Sequence, residues 1–104
     1  MSKYCMIETA FNKKEELEEA IKILLKEKLV SSCQVVESNS KWNWKNGYEE
    51  SKEYLVFMKT KKSLQEEIYN TIKRIHSYEC FEFAVFDLDS CNSQYLNWID
   101  EETK

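Results

Sequence analysis

Apolar and polar positions alternate along the chain in blocks of two different periods. Lys3 to Phe11 (KYCMIETAF) is a short, mostly apolar run closed by Asn12, and it predicts a strand. Asn12 followed by Glu15 suggests a loose capping box. Beyond it Leu17, Ala20, Ile21, Leu24 and Leu25 recur at helical spacing, with Lys14, Glu18, Lys22 and Lys26 elsewhere on the wheel, so a helix is predicted over Lys13–Lys28. Leu29 to Trp44 then reads as a strand with Val36, Ser38, Ser40, Trp42 and Trp44 in one phase. Asn46-Gly47 is the strongest hairpin signal in the chain. The return strand, Tyr48–Lys59, carries Tyr54, Val56 and Met58 on one face and Leu55 and Phe57 on the other. Ser63 and Glu66 suggest a second capping box, and Leu64, Ile68, Ile72 and Ile75 form the apolar stripe of a second helix. Cys80 to Leu88 (CFEFAVFDL) is apolar in both phases, which predicts a central strand. Asn92 or Ser93 caps a short last helix holding Tyr95, Leu96, Trp98 and Ile99.

The order βαββαβ plus a terminal helix predicts an α+β sandwich of the ferredoxin-like type, two helices on one face of a four-stranded sheet. A first helix of roughly 15 residues spans on the order of 22 Å. A strand from Leu29 to Trp44 would span on the order of 50 Å. The helices cannot cover so extended a hairpin, whose outer half holds Trp42, Trp44 and Tyr48. Either another copy of the chain covers these rings, or a bulge around Ser38–Ser40 folds the hairpin back on its own domain.

Composition narrows the function. The 104 residues fit one domain, residues 1–104. A net charge of −4 removes the electrostatic attraction on which nucleic-acid and acidic-membrane partners depend. No stretch approaches the roughly 20 apolar residues of a membrane span. The start MSKYCMIETAF lacks the layout of a signal peptide, so a cytoplasmic protein is expected. One glycine and no proline exclude every Gly-rich phosphate cradle. Cys5, Cys33, Cys80 and Cys91 contain no C-x-x-C pair and are expected to be reduced thiols. Neither a Ser-His-Asp order nor H-E-x-x-H nor a nucleophile elbow is present, so no enzyme activity is expected.

Short motifs in a fixed order carry a family resemblance. They are Leu29-Val30-Ser31-Ser32-Cys33-Gln34-Val35, Trp42-Asn43-Trp44, Lys59-Thr60, His76-Ser77-Tyr78-Glu79-Cys80-Phe81-Glu82, and Tyr95-Leu96-Asn97-Trp98. Together they resemble the CutA family of divalent-cation tolerance proteins over nearly the full length. Ser77 and Phe81 stand where that family usually has proline, which predicts a less rigid approach to the last strand. Asn46 stands at the usual turn glycine, with Gly47 following it. The resemblance implies a ferredoxin-like homotrimer whose hairpins reach onto neighbouring subunits. It also implies a role in tolerance of copper or another divalent cation, with metal ions as partners and no organic cofactor. Trimers of this shape also resemble the PII signalling proteins, which bind small effectors in clefts between subunits.

Candidate residues follow from both lines. His76, the only histidine, and Cys33 are the candidate metal ligands. A helix-capping histidine and a small buried hydrophobe are their plainer alternatives. Tyr78, Glu79, Trp42 and Trp44 are candidates for a ligand cleft, and Trp42, Trp44, Tyr48 and Tyr54 for a trimer interface. Glu49, Glu50 and Glu53 beside Lys52 read as a solvated edge that discourages aggregation.

Overall fold

The computed structural model describes residues 2–104. Its elements run β1 (Tyr4–Phe11), α1 (Lys14–Lys26), β2 (Ser32–Trp44), β3 (Gly47–Lys61), α2 (Gln65–Ile75), β4 (Phe83–Asp87) and α3 (Ser93–Glu102), with one 3₁₀ turn, Lys62–Leu64, leading into α2. The sheet order is β2-β3-β1-β4, antiparallel throughout. This is the ferredoxin-like α+β arrangement the sequence predicts.

Strand parity builds the core. Cys5, Ile7 and Phe11 of β1 and Val56 and Met58 of β3 point to one face, where they meet Leu17, Ala20 and Leu24 of α1 and Ile68 and Ile72 of α2. The opposite face of the sheet carries Met6, Glu8 and Ala10 beside Phe57, Leu55, Glu53, Val36, Ala84 and Phe86, by the same register. Neither α1 nor α2 packs on that open face.

Neither helix start forms the capping box that its sequence suggests. The N-cap of α1 is Lys13, one residue past Asn12, and the N-cap of α2 is Leu64, because Ser63 is taken up in the 3₁₀ turn; neither has a side-chain cap. Glu15 and Glu16, then Glu66 and Glu67, supply negative charge to those first turns instead. The end of α1 is better defined. Leu29 N–H donates to the Leu24 carbonyl at 2.9 Å and Lys28 N–H to the Leu25 carbonyl at 3.2 Å, the double bond of a Schellman motif. Lys28 takes the left-handed position with φ 60°, where glycine is usual.

Two further expectations are corrected, and the bulge offered as an alternative is excluded. The strand predicted over Cys80–Leu88 is shortened to Phe83–Asp87 and lies at the sheet edge rather than its centre. Its two apolar phases arise because Phe83 and Val85 pack on the core while Phe86 faces away, exposed on the open face. The hairpin turn falls on Lys45-Asn46, since Trp44 pairs with Gly47, and Lys45 rather than Asn46 or Gly47 adopts positive φ, 55°. No bulge interrupts β2 and β3, which pair in one register from Ser32↔Lys59 to Trp44↔Gly47. The 13-residue β2 spans about 43 Å, matching the 45 Å long axis of the molecule. The hairpin therefore projects past the helices, and Tyr48 at its tip is 65% exposed.

Candidate functional site

The segment after α2 folds from the helix side of the sheet around the end of β1 and onto the open face. Each turn of this path is bonded. The ring of His76, itself 8% exposed, lies between Phe11 and Phe81, with centroids 4.5 and 4.9 Å away and planes within 15° and 16°. Tyr78 N–H donates to His76 Nδ1 at 3.1 Å, so the proton is on Nε2, which donates to the Ala10 carbonyl at 2.6 Å. Ser77 N–H donates to Glu16 Oε1 at 3.0 Å, and Thr9 Oγ1 donates to the Glu82 carbonyl at 2.6 Å. Phe81 also stacks on Tyr69 at 5.5 Å. These contacts hold the segment in which Ser77 and Phe81 stand at the family's usual proline positions.

Past His76, the chain walls off a groove of about 810 Å³ against the outer half of the hairpin. Trp42, Trp44, Tyr78 and Glu79, the four residues proposed for a ligand cleft, all line it. The Trp42 and Tyr78 rings are tilted to each other at 6.3 Å. Tyr48 and Tyr54 lie in the other strand phase, Tyr48 exposed at the tip and Tyr54 packed against the chain's own core.

Glu53 is the residue that sequence reasoning misjudged. Instead of lying on a solvated edge it is 7% exposed, because the Tyr78 loop closes over it and Tyr78 Oη donates to Glu53 Oε2 at 2.9 Å. The signal was parity: Glu53 shares its strand phase with Leu55 and Phe57, not with the exposed Lys52. Burial, then the Glu53 carboxylate, raise the Tyr78 phenol above its usual range. Glu82, also on the groove, was read only as part of a motif. Although the residue is exposed overall, its carboxyl is partly desolvated against the groove wall and lies near Glu8 on the neighbouring strand. Desolvation, the Glu8 carboxyl and the more distant Glu53 charge push it up to about 7.

The two candidate metal ligands are not brought together. His76 has both ring nitrogens engaged by the chain's own backbone, and ligation would break one of those bonds. Cys33 sits on β2 opposite Met58, packed on the core, and burial pushes its thiol up to about 12, which disfavours the thiolate a metal needs. Among the described residues no three His, Cys, Asp or Glu side chains converge to hold one ion. The pair does not fit a metal within a single chain. The groove offers Glu49, Glu53, Glu79, Glu82 and the exposed Cys80 thiol, spread along its walls.

The fold has counterparts among known proteins. A family model described as CutA1 divalent ion tolerance protein matches residues 5–102. The divalent-cation tolerance protein CutA of Pyrococcus horikoshii is 35% identical over 99 residues, covering 95% of this chain and 97% of its own. That of Thermococcus kodakarensis is 31% identical over 94 residues, covering 90% of each chain. Among solved structures, CutA1 from Pyrococcus horikoshii aligns with a TM-score of 0.90 at 34% identity over 96% of this chain and 98% of that one. The periplasmic divalent cation tolerance protein CutA of Archaeoglobus fulgidus aligns at 0.93 with 25% identity, covering 97% of this chain and 99% of that one. With its motifs, strand order and sequence similarity in agreement from Cys5 to Glu102, the chain belongs to the CutA1 divalent ion tolerance protein family.

Proposed function

We propose that this chain works as a cytoplasmic homotrimer in tolerance of divalent cations, copper among them, and that it is not an enzyme. The observation that carries the trimer is the open sheet face. Val36 is 50% and Phe86 46% exposed there, continuous with Leu55 and Phe57, and the Trp44 and Tyr48 rings overhang the helices. Apolar area of this kind on a fold this small is suited to burial against identical copies. No helix among the described residues is long and apolar enough to cross a membrane. On this reading a cation is held at the groove by its carboxylates and the Cys80 thiol, with ligands completed from a neighbouring subunit, while Cys33 and His76 keep structural roles. Native mass spectrometry before and after adding copper and zinc tests both parts. A trimer taking up metal, with less uptake in Cys80→Ser and unchanged uptake in Cys33→Ala, supports the reading. A trimer that ignores both ions overturns the cation part, and a monomer overturns the assembly.

A second reading is favoured by the groove itself. A cavity of about 810 Å³ with three aromatic walls is larger than a bare ion requires and suits a small organic effector, as in a PII-like signalling trimer.

A further inference from the structure

We propose that the groove binds a linear organic polycation, with ammonium groups separated by methylene segments, laid between the Trp42 and Tyr78 rings and the Glu53 carboxylate. This deepens the effector reading and rests on it. Glu53 is 7% exposed and lines the groove, yet it has no cationic partner among the described residues. Tyr78 Oη satisfies Oε2 alone, and Oε1 has no protein donor among the described residues. A largely buried carboxylate that still borders an open groove is a favourable partner for a positive charge reaching into that groove. The remaining carboxylates of the groove, Glu49 and Glu79, with the partly protonated Glu82, are distributed rather than convergent, since among the described residues no three such groups could hold one ion. Distributed negative charge matches positive charge that is itself distributed along a chain. The aromatic walls complete the match, because indole and phenol rings offer apolar surface to methylenes and π faces to ammonium groups. A hydrated metal ion gains little from such walls. The groove is poorly suited to anionic effectors: among the described residues the one basic side chain lining it, Lys41, pairs with Glu50 at 3.7 Å.

The test is calorimetric titration and thermal shift of the full chain in its native assembly, with spermidine, with magnesium chloride at matched ionic strength, and with metal-free ATP. Spermidine is expected to raise the melting point saturably, and magnesium to do so much less. Glu53→Gln and Trp42→Ala are each expected to weaken spermidine binding by about tenfold. Glu49→Gln, at an exposed position, is expected to weaken it less and guards against a Glu53 variant that fails to fold. No response to spermidine, or an equal response to magnesium, overturns the polycation proposal. A shift with ATP and none with spermidine overturns it while leaving the effector reading standing. Silence with all three overturns both.

Discussion

His76 Nε2 lies 2.6 Å from the carbonyl oxygen of Ala10, and this bond ties the end of α2 to the last turn of β1. With Tyr78 N–H on the other ring nitrogen, the imidazole is a neutral connector that starts the loop over the groove. Replacing His76 by Ala deletes one buried and one part-buried hydrogen bond and the stacking with Phe11 and Phe81. A loss of about 2–4 kcal/mol is expected. Urea unfolding at fixed protein concentration measures it, and a loss below about 0.5 kcal/mol would contradict the structural role.

Glu82 makes stability depend on pH in a defined direction. Its carboxyl is raised from an ordinary 4.5 to about 7 in the folded chain by desolvation, by Glu8 and by Glu53. Between those values the folded state binds the proton more tightly than the unfolded state, so its stabilising effect is complete below the lower value and is lost as pH rises through the upper one. Glu82→Gln removes the titration. Relative to the parent it is expected to change little at pH 4 and to gain on the order of 1 kcal/mol at pH 8, a figure kept small because the exposed carboxylate is screened. Paired denaturation curves at the two pH values check this; a gain at pH 4 equal to that at pH 8 would exclude the linkage.

These two residues also mark what could be read in advance. The βαββαβ order, the apolar stripes of α1 and α2 and the overlong hairpin are all periodic features, and periodicity is local enough to survive without coordinates. Trp42, Trp44, Tyr78 and Glu79 were legible as a group because their motifs resemble a family's. Glu53 was not, because its burial depends on a loop 25 residues away in sequence closing over it. Pairing of Glu8 with Glu82 was hidden for the same reason: it depends on β1 and β4 being neighbours. The edge position of β4 was misread because an apolar second face is also what a strand waiting for another subunit would show.

Lys28 holds a left-handed backbone that costs a side-chain-bearing residue about 1–2 kcal/mol. Its ammonium pairs with Glu102 at 2.9 Å, but both partners are well exposed and the pair is worth at most about 1 kcal/mol. Glycine at this position keeps the Schellman bonds and removes the backbone cost. Lys28→Gly is therefore expected to raise stability by about 0.5 kcal/mol, after allowing for the greater freedom of glycine in the unfolded chain. Thermal unfolding of Lys28→Gly beside Glu102→Gln separates the two effects: the second variant loses the ion pair alone and is expected to melt slightly lower than the parent. A lower melting point for Lys28→Gly would show that the ion pair outweighs the strain.

Val36 stands in the middle of the open sheet face, opposite Leu55 and half exposed in the single chain. A charge placed there has nothing to clash with inside the chain, so Val36→Lys is expected to leave the fold and its circular dichroism intact. In an assembly built on that face the same ammonium would be buried beside its symmetry copies without a counter-ion, a cost of several kcal/mol per subunit. Light scattering coupled to size exclusion is expected to find the parent as a trimer and Val36→Lys as a monomer at micromolar concentration. Glu37→Lys, on the neighbouring residue of the opposite phase and facing the solvated helix side, serves as the control and is expected to stay assembled. Should both variants assemble like the parent, the open face is not the contact between copies. The overhanging Trp44 and Tyr48 rings would then be the surface to alter next.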